Sequence, residues 1–141
     1  MKRASACLTL LFILLSCPLW AAPVAVKAPG KVVVYYVHGT YRCRSCTRIE
    51  ALTRQAVQQG FAAELKQGRL EMRVVNVEEP ANRHFIQDYK LYTKSVVVAE
   101  YQGQRQLRWQ NLDRVWSLLG NEPAFKAYVA EAVQAYLKGR S

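Results

Sequence analysis

Two cysteines separated by two residues, Cys43 and Cys46, are the part of the sequence with the clearest chemical potential. A thiol pair at this spacing can close a disulfide, and the thiolate of one cysteine can attack a disulfide in another molecule. The same spacing is also used in zinc sites, so the motif alone leaves both chemistries open. The structural elements that position the pair must decide between them.

The pair falls between a predicted strand and a predicted helix. Residues 32–37 form an unbroken apolar run, VVVYYV, which is typical of a strand buried on both faces. From Thr47 onward, apolar residues recur at helical spacing. Cys43 is then placed to cap the helix, where free backbone N–H groups and the helix dipole stabilise a thiolate. We predict that Cys43 is the attacking thiol and that Cys46, which is less exposed, resolves the mixed disulfide.

Charged and titratable residues surround the pair in sequence. Arg42 and Arg44 flank Cys43, and either would lower its pKa further if the guanidinium group approaches the sulfur. Either can equally be a solvated surface residue. His38 precedes the motif, and the sequence supports two roles for it, proton transfer near the thiols or a hydrogen bond within the loop. Tyr41 is expected to be a packing residue.

A metal site is the main chemical alternative. A tetrahedral structural site needs four ligands, and the two thiols with His38 supply three. The second histidine, His84, lies on a different predicted helix. We expect no metal and no other cofactor, and retain a metal-handling module as an alternative.

The N-terminus predicts export. Lys2 and Arg3 precede an apolar stretch that ends near Ala21 and Ala22, which is the arrangement of a signal peptide. We expect residues 1–22 to be this signal, with two alternatives: lipidation at Cys17, or retention of the segment as an anchor. All three place the remaining chain outside the cytoplasm, for example in the periplasm.

The rest of the chain is expected to form a flexible lead over residues 23–31 and one domain over residues 32–140. The chain carries 20 basic and 10 acidic side chains, and only Lys2 and Arg3 of the basic ones fall in the predicted signal. A basic surface can attract nucleic acid, an anionic membrane or an acidic protein. Nucleic acid is an unsuitable partner for an exported protein, and no basic run interleaved with aromatics is present.

Patterns further along the chain predict the order β-α-β-α-β-β-α with an additional short helix before the last. The second strand is expected over residues 70–77, and the last two over 95–99 and 107–109. We expect Asn111 to cap the additional helix over residues 112–119, and Asn121 to cap the final helix. A crossover helix implies parallel strands, and a tight turn implies antiparallel strands. The fold class predicted is α/β, a mixed four-stranded sheet with helices on both faces.

With this order and the placement of the two cysteines, the chain resembles the thioredoxin superfamily. More narrowly, it is similar to small exported thioredoxin-like proteins named as a subunit of a nitrophenyl-compound nitroreductase. The matching stretches are YYVHGTYRCRSCTRIEALT (35–53), NVEEPANRHFIQDYKLYTKSVVV (76–98) and RWQNLDRVWSLL (108–119). The resemblance implies a thioredoxin fold, redox roles for Cys43 and Cys46, and a membrane partner that handles nitroaromatic or organoarsenical compounds.

The sequence departs from general thioredoxins in two places. The loop before the third strand lacks the usual cis-proline and reads Tyr92-Thr93-Lys94-Ser95, so we expect trans peptide bonds there. Lys94 would then add positive charge beside Cys43. The first strand also lacks a buried carboxylate that could take the proton of the resolving cysteine, and Glu50 is the nearest substitute.

These observations predict an extracytoplasmic thiol-disulfide oxidoreductase that exchanges electrons with a dedicated partner and is monomeric when free. The partner is expected to be a protein associated with the membrane. A binding subunit whose cysteines form an inert disulfide is the alternative from another functional class.

Overall fold

The computed structural model describes residues 30–139. The predicted signal peptide, Cys17 and residues 23–29 of the predicted lead lie outside these residues. None of the helices formed within residues 30–139 has the length and apolar character needed to cross a bilayer.

A mixed four-stranded sheet forms the centre of the protein. Its strands are β1 (Gly30–His38), β2 (Leu70–Asn76), β3 (Ser95–Gln102) and β4 (Arg105–Asn111). Their order in the sheet is β2-β1-β3-β4, with β1 and β2 parallel and the other two pairs antiparallel. The predicted sheet is therefore confirmed. Its first strand begins at Gly30, so the last two residues of the predicted lead belong to β1.

Helices cover both faces of the sheet. They are α1 (Arg44–Gly60), α2 (Ala62–Lys66), α3 (His84–Asp88) and α4 (Glu122–Lys138), and 3-10 turns cover Pro80–Asn82 and Asp113–Val115. Asn121 caps α4 as predicted, because its side-chain oxygen accepts a hydrogen bond from the backbone N–H of Ala124 at 3.1 Å.

Alternate residues of β1 enter two separate cores. Val34 and Tyr36 pack against α1 and α4 on one face, whereas Tyr35 and Val37 face the opposite core with α3. The apolar run in the sequence is unbroken because both faces of this strand are buried away from water.

The predicted helix over residues 112–119 is present only as the 3-10 turn Asp113–Val115, and Asn111 does not cap it. Asn111 is the last residue of β4, and the N–H of Leu112 still pairs with the carbonyl of Val96 at 2.8 Å. This pairing keeps the backbone of Leu112 out of the helical conformation, with φ −88° and ψ 71°, at the residue where the helix was expected to begin. Leu112 and Val115 are buried as their pattern indicated, but a 3-10 turn places Val115 in the core.

The two edge strands carry charged side chains, of both signs on β2 and positive on β4. On β2 these are Glu71 and Arg73, and on β4 they are Arg105 and Arg108. Arg108 also pairs with Glu100 of β3 at 2.5 Å and lies 4.3 Å above the ring of Tyr136 in α4.

Candidate active site

The strand β1 and the helix α1 position the cysteine pair. After His38 the chain leaves the sheet, and Cys43 is the N-cap residue of α1 with an extended backbone. Its sulfur accepts a hydrogen bond from the backbone N–H of Cys46 at 3.2 Å. The predicted N-cap position is confirmed, and one of the orphan N–H groups of the first helical turn, that of Cys46, is directed at this sulfur.

Cys43 and Cys46 form a disulfide, with their Cα atoms 5.0 Å apart. Cys46 is completely buried, whereas Cys43 is partly exposed. The predicted difference in exposure between the two residues is therefore confirmed. An incoming reagent can reach the disulfide through the sulfur of Cys43.

Two features decide the fold. The disulfide lies at the start of the helix that follows the first strand, and the mixed four-stranded sheet has helices on both faces. The fold is thioredoxin-like. This agrees with the broader of the two resemblances in the sequence.

Comparisons with solved structures return weak similarities. One is the crystal structure of Trxlp from Edwardsiella tarda EIB202, with 20% identity and a TM-score of 0.38, covering 59% of this chain and 72% of that chain. Another is the structure of a malarial protein, with 11% identity and a TM-score of 0.36, covering 65% and 97%. At these values neither adds to what the sheet order shows. No protein-family model and no curated protein matches the sequence.

A network of hydrogen bonds and ion pairs connects β1, the residue before Cys43 and α1. The hydroxyl of Tyr36 donates to the carbonyl of Cys46 at 2.7 Å, and the guanidinium of Arg42 lies 5.5 Å above the Tyr36 ring. Arg42 also pairs with Glu50 of α1, which accepts a second hydrogen bond, of 2.9 Å, from Arg54. The predicted cation Arg42 is therefore held by a carboxylate, and the predicted proton acceptor Glu50 is held by two arginines.

The other arginines near the pair differ in their contacts. Arg44 is exposed and has no ion pair among the described residues. Arg48 points towards the start of α4, where it lies 3.7 Å from Glu122, and it donates to the carbonyl of Leu119 in the preceding turn at 3.4 Å. Arg44 is thus the flanking cation whose charge is available to an approaching partner.

His38 is buried at the end of β1. Its Nδ1 lies 2.7 Å from the carbonyl oxygen of Gly39, which can only accept, so Nδ1 carries a proton. The imidazole also stacks on Tyr36, with ring centres 5.6 Å apart. These contacts confirm that His38 holds the loop, while its Nε2 remains a candidate for proton transfer.

Lys94 lies in the loop before β3, and no cis peptide bond occurs within residues 30–139, as expected for this loop. The carbonyl of Lys94 accepts a hydrogen bond from the indole of Trp116 at 2.8 Å. A groove of about 340 Å³ extends from this loop to His38 and Gly39. Hydrogen bonds from Thr40, with smaller effects from the charges of Lys94 and His38, lower the pKa of Glu78.

Two aromatic residues, one in the loop before α1 and one in the loop before β3, are strongly exposed. Tyr41 is 77% exposed and Tyr92 is 84% exposed. The prediction that Tyr41 packs in the core is wrong, because it lies in the loop between β1 and α1 and not on the apolar stripe of either element. Exposed tyrosines are common in protein interfaces, so both are candidates for contact with a partner.

The sequence did not identify Tyr36 and Glu78 as parts of the site. The signal for Tyr36 is the alternation of side chains along β1, which places Tyr36 with Val34 on the face that α1 covers. No comparable signal marks Glu78, because its position beside the groove depends on how the segment after β2 folds back. Within residues 30–139, no three potential metal ligands among His, Cys, Asp and Glu lie together.

Proposed function

We propose that the protein is an extracytoplasmic thiol-disulfide oxidoreductase that relays electrons between Cys43–Cys46 and a dedicated, membrane-associated partner protein. The observation that carries the proposal is the disulfide at the N-terminus of α1, in which Cys43 is accessible and Cys46 is buried. A helix start lowers the pKa of a thiol, and asymmetric exposure separates the attacking residue from the resolving one.

The exchange proceeds in two displacements. In the reduced protein, the Cys43 thiolate attacks a disulfide of the partner, forms a mixed disulfide and releases one partner thiolate. Cys46 loses its proton and attacks the Cys43 sulfur, which restores the internal disulfide and releases the second partner thiolate. Two electrons pass to the partner, and the reverse sequence transfers two electrons to this protein.

Cationic and aromatic residues beside the cysteine motif in sequence and in the loop before β3 support a dedicated acidic partner. Arg44 is unpaired among the described residues, Lys94 borders the neighbouring groove, and Tyr41 and Tyr92 supply exposed aromatic area. The sequence resemblance to nitroreductase subunits supports a partner that reduces nitroaromatic compounds, to which this chain would deliver the electrons.

Trapping the partner tests the proposal. In cells, Cys46→Ser is expected to accumulate a mixed disulfide between Cys43 and one main protein, since the resolving thiol is absent. Cys43→Ser is the matched control and is expected to trap nothing. Adducts only with Cys43→Ser would reverse the two roles. No adduct with either variant, together with a disulfide that glutathione buffers do not reduce, would favour the inert binding subunit.

A further inference from the structure

Arg42 is held away from the chemistry that its position in the sequence suggests. It directly precedes Cys43, but its Nη2 is directed at Glu50, and its guanidinium lies over the Tyr36 ring. The Cys43 sulfur receives its hydrogen bond from the backbone of Cys46. Both ends of the Arg42–Glu50 pair are largely shielded, with 29% of the Arg42 side chain and 20% of the Glu50 side chain exposed.

Glu50 is itself firmly fixed and ionised. Burial raises the pKa of Glu50, but hydrogen bonds from Arg54 and Arg42 outweigh it and place the pKa below its ordinary value. Glu50 therefore remains a carboxylate at neutral pH. An anion with two arginine partners is a poor acceptor for the Cys46 proton, so its role must be another one.

We propose that Glu50 is a positioning residue that restrains Arg42 and thereby limits the stabilisation of the Cys43 thiolate. The inference rests on the proposed function, because it concerns the reduced form of the same cysteine pair. An arginine side chain is long and flexible enough to reach the sulfur of the following residue once its carboxylate partner is removed. The unrestrained cation would then favour the thiolate over the thiol.

Other ionisable groups must stay constant in any test. Arg44 has no ion pair among the described residues, and neither has Lys94. Besides Arg44, the groups belong to α1 and to the elements that flank it. From α1 and α4 these are Arg48 and Glu122, from the segments after β2 and before β3 they are Glu78 and Lys94, and from β1 they are Tyr36 and His38.

The restraint has a consequence for redox balance. A stabilised thiolate stabilises the reduced protein, and a couple whose reduced form is stabilised is a stronger oxidant. With Glu50 present, the couple is therefore kept more reducing than the helix N-terminus and the neighbouring arginines would otherwise make it.

The experiment measures thiol ionisation and reduction potential in the full-length protein. Glu50→Gln is expected to lower the Cys43 pKa by about one unit, as an added cationic neighbour does. A tenfold gain in thiolate corresponds to a potential higher by about 30 mV for a two-electron couple. Glu64→Gln is the matched control, because it also removes one carboxylate from an arginine pair, on α2, with 26% of its side chain exposed. It is expected to change neither quantity measurably.

The Arg42→Gln background separates restraint from simple removal of a negative charge. If Glu50 acts through Arg42, Glu50→Gln has little effect on the Cys43 pKa once Arg42 is replaced. An equal shift in both backgrounds, or a shift no larger than that of Glu64→Gln, would overturn the inference. Should Glu50→Gln fold poorly, Arg42→Gln alone remains informative, since a Cys43 pKa raised by a full unit would show that Arg42 already acts on the sulfur. Failure of the proposed function would appear differently, as a cysteine pair without a measurable redox equilibrium.

Discussion

The hydroxyl of Tyr36 donates a hydrogen bond of 2.7 Å to the carbonyl oxygen of Cys46. Tyr36 is fully buried in a central strand of the sheet, and Cys46 lies in the first turn of α1. This contact joins the two elements that meet at the disulfide. The orientation of the cysteine pair is therefore fixed by the sheet as well as by the helix.

Tyr36→Phe should destabilise the protein by about 1 kcal/mol, the usual net contribution of an intramolecular hydrogen bond. Urea unfolding of the oxidised protein measures the change in the free energy of unfolding. Tyr92→Phe is the matched control, because Tyr92 is 84% exposed and should be replaceable at no cost. Equal effects of the two substitutions would show that the Tyr36 hydroxyl contributes nothing to stability.

The two thiols of the reduced protein should differ in reactivity. At pH 6, iodoacetamide is expected to modify Cys43 quickly and Cys46 slowly, because Cys43 is partly exposed at the helix start and Cys46 is buried. Mass spectrometry of peptides after timed quenching gives both rates, and Cys43→Ser and Cys46→Ser identify each product. Equal rates, or an ordinary pKa near 8.5 for Cys43, would contradict the mechanism.

Electron exchange with the natural partner should depend strongly on salt, and reduction of insulin should be weak. The cations Arg44 and Lys94 attract an acidic partner over a Debye length of about 8 Å at physiological ionic strength, whereas generic disulfides gain little. Lys94→Pro is expected to raise insulin reduction, because proline in this loop offers a backbone edge to extended peptides. Vigorous insulin reduction by the unmodified protein, independent of salt, would contradict a dedicated partner.

Glu71 should contribute to stability in a defined range of acid pH. The hydrogen bond from Arg73, followed by that from Lys31, outweighs burial and lowers the Glu71 pKa from 4.5 to about 2. The folded protein therefore binds this proton less readily than the unfolded chain. The contribution is fully present above pH 4.5 and is lost as the pH falls to about 2. Glu71→Gln should reduce stability at pH 6 and make its decline between pH 4.5 and 2 less steep, as measured by urea unfolding at each pH. An unchanged slope would show that the carboxylate is not stabilised in the folded protein.

The elements that carry the disulfide could be predicted because their signals are local. The apolar run of β1 and the helical spacing after Thr47 are independent of the rest of the chain, and together they place Cys43 at a helix start. The segment after Asn111 shows where such signals fail. Its apolar spacing fits a helix, but the hydrogen bond between Leu112 and Val96 links residues distant in sequence and holds Leu112 out of the helical conformation.

The electrostatics of the site were less predictable than its backbone. Sequence proximity suggested that Arg42 acts on Cys43, whereas side-chain length and the position of Glu50 in the second turn of α1 direct Arg42 elsewhere. The position of Glu78 near the groove likewise depends on the path of a loop. Which flexible charged side chains form pairs depends on their positions in the folded structure. No local sequence pattern identifies these partners.

The charges on the edge strands have a consequence for how molecules meet one another. A strand at the border of a sheet offers unpaired backbone groups to any second chain, which is how strand exchange and fibril growth begin. Here an approaching strand would have to bury Glu71 and Arg73 on one border, or Arg105 and Arg108 on the other. Because burying charges is costly, these side chains oppose the addition of a further strand at either border.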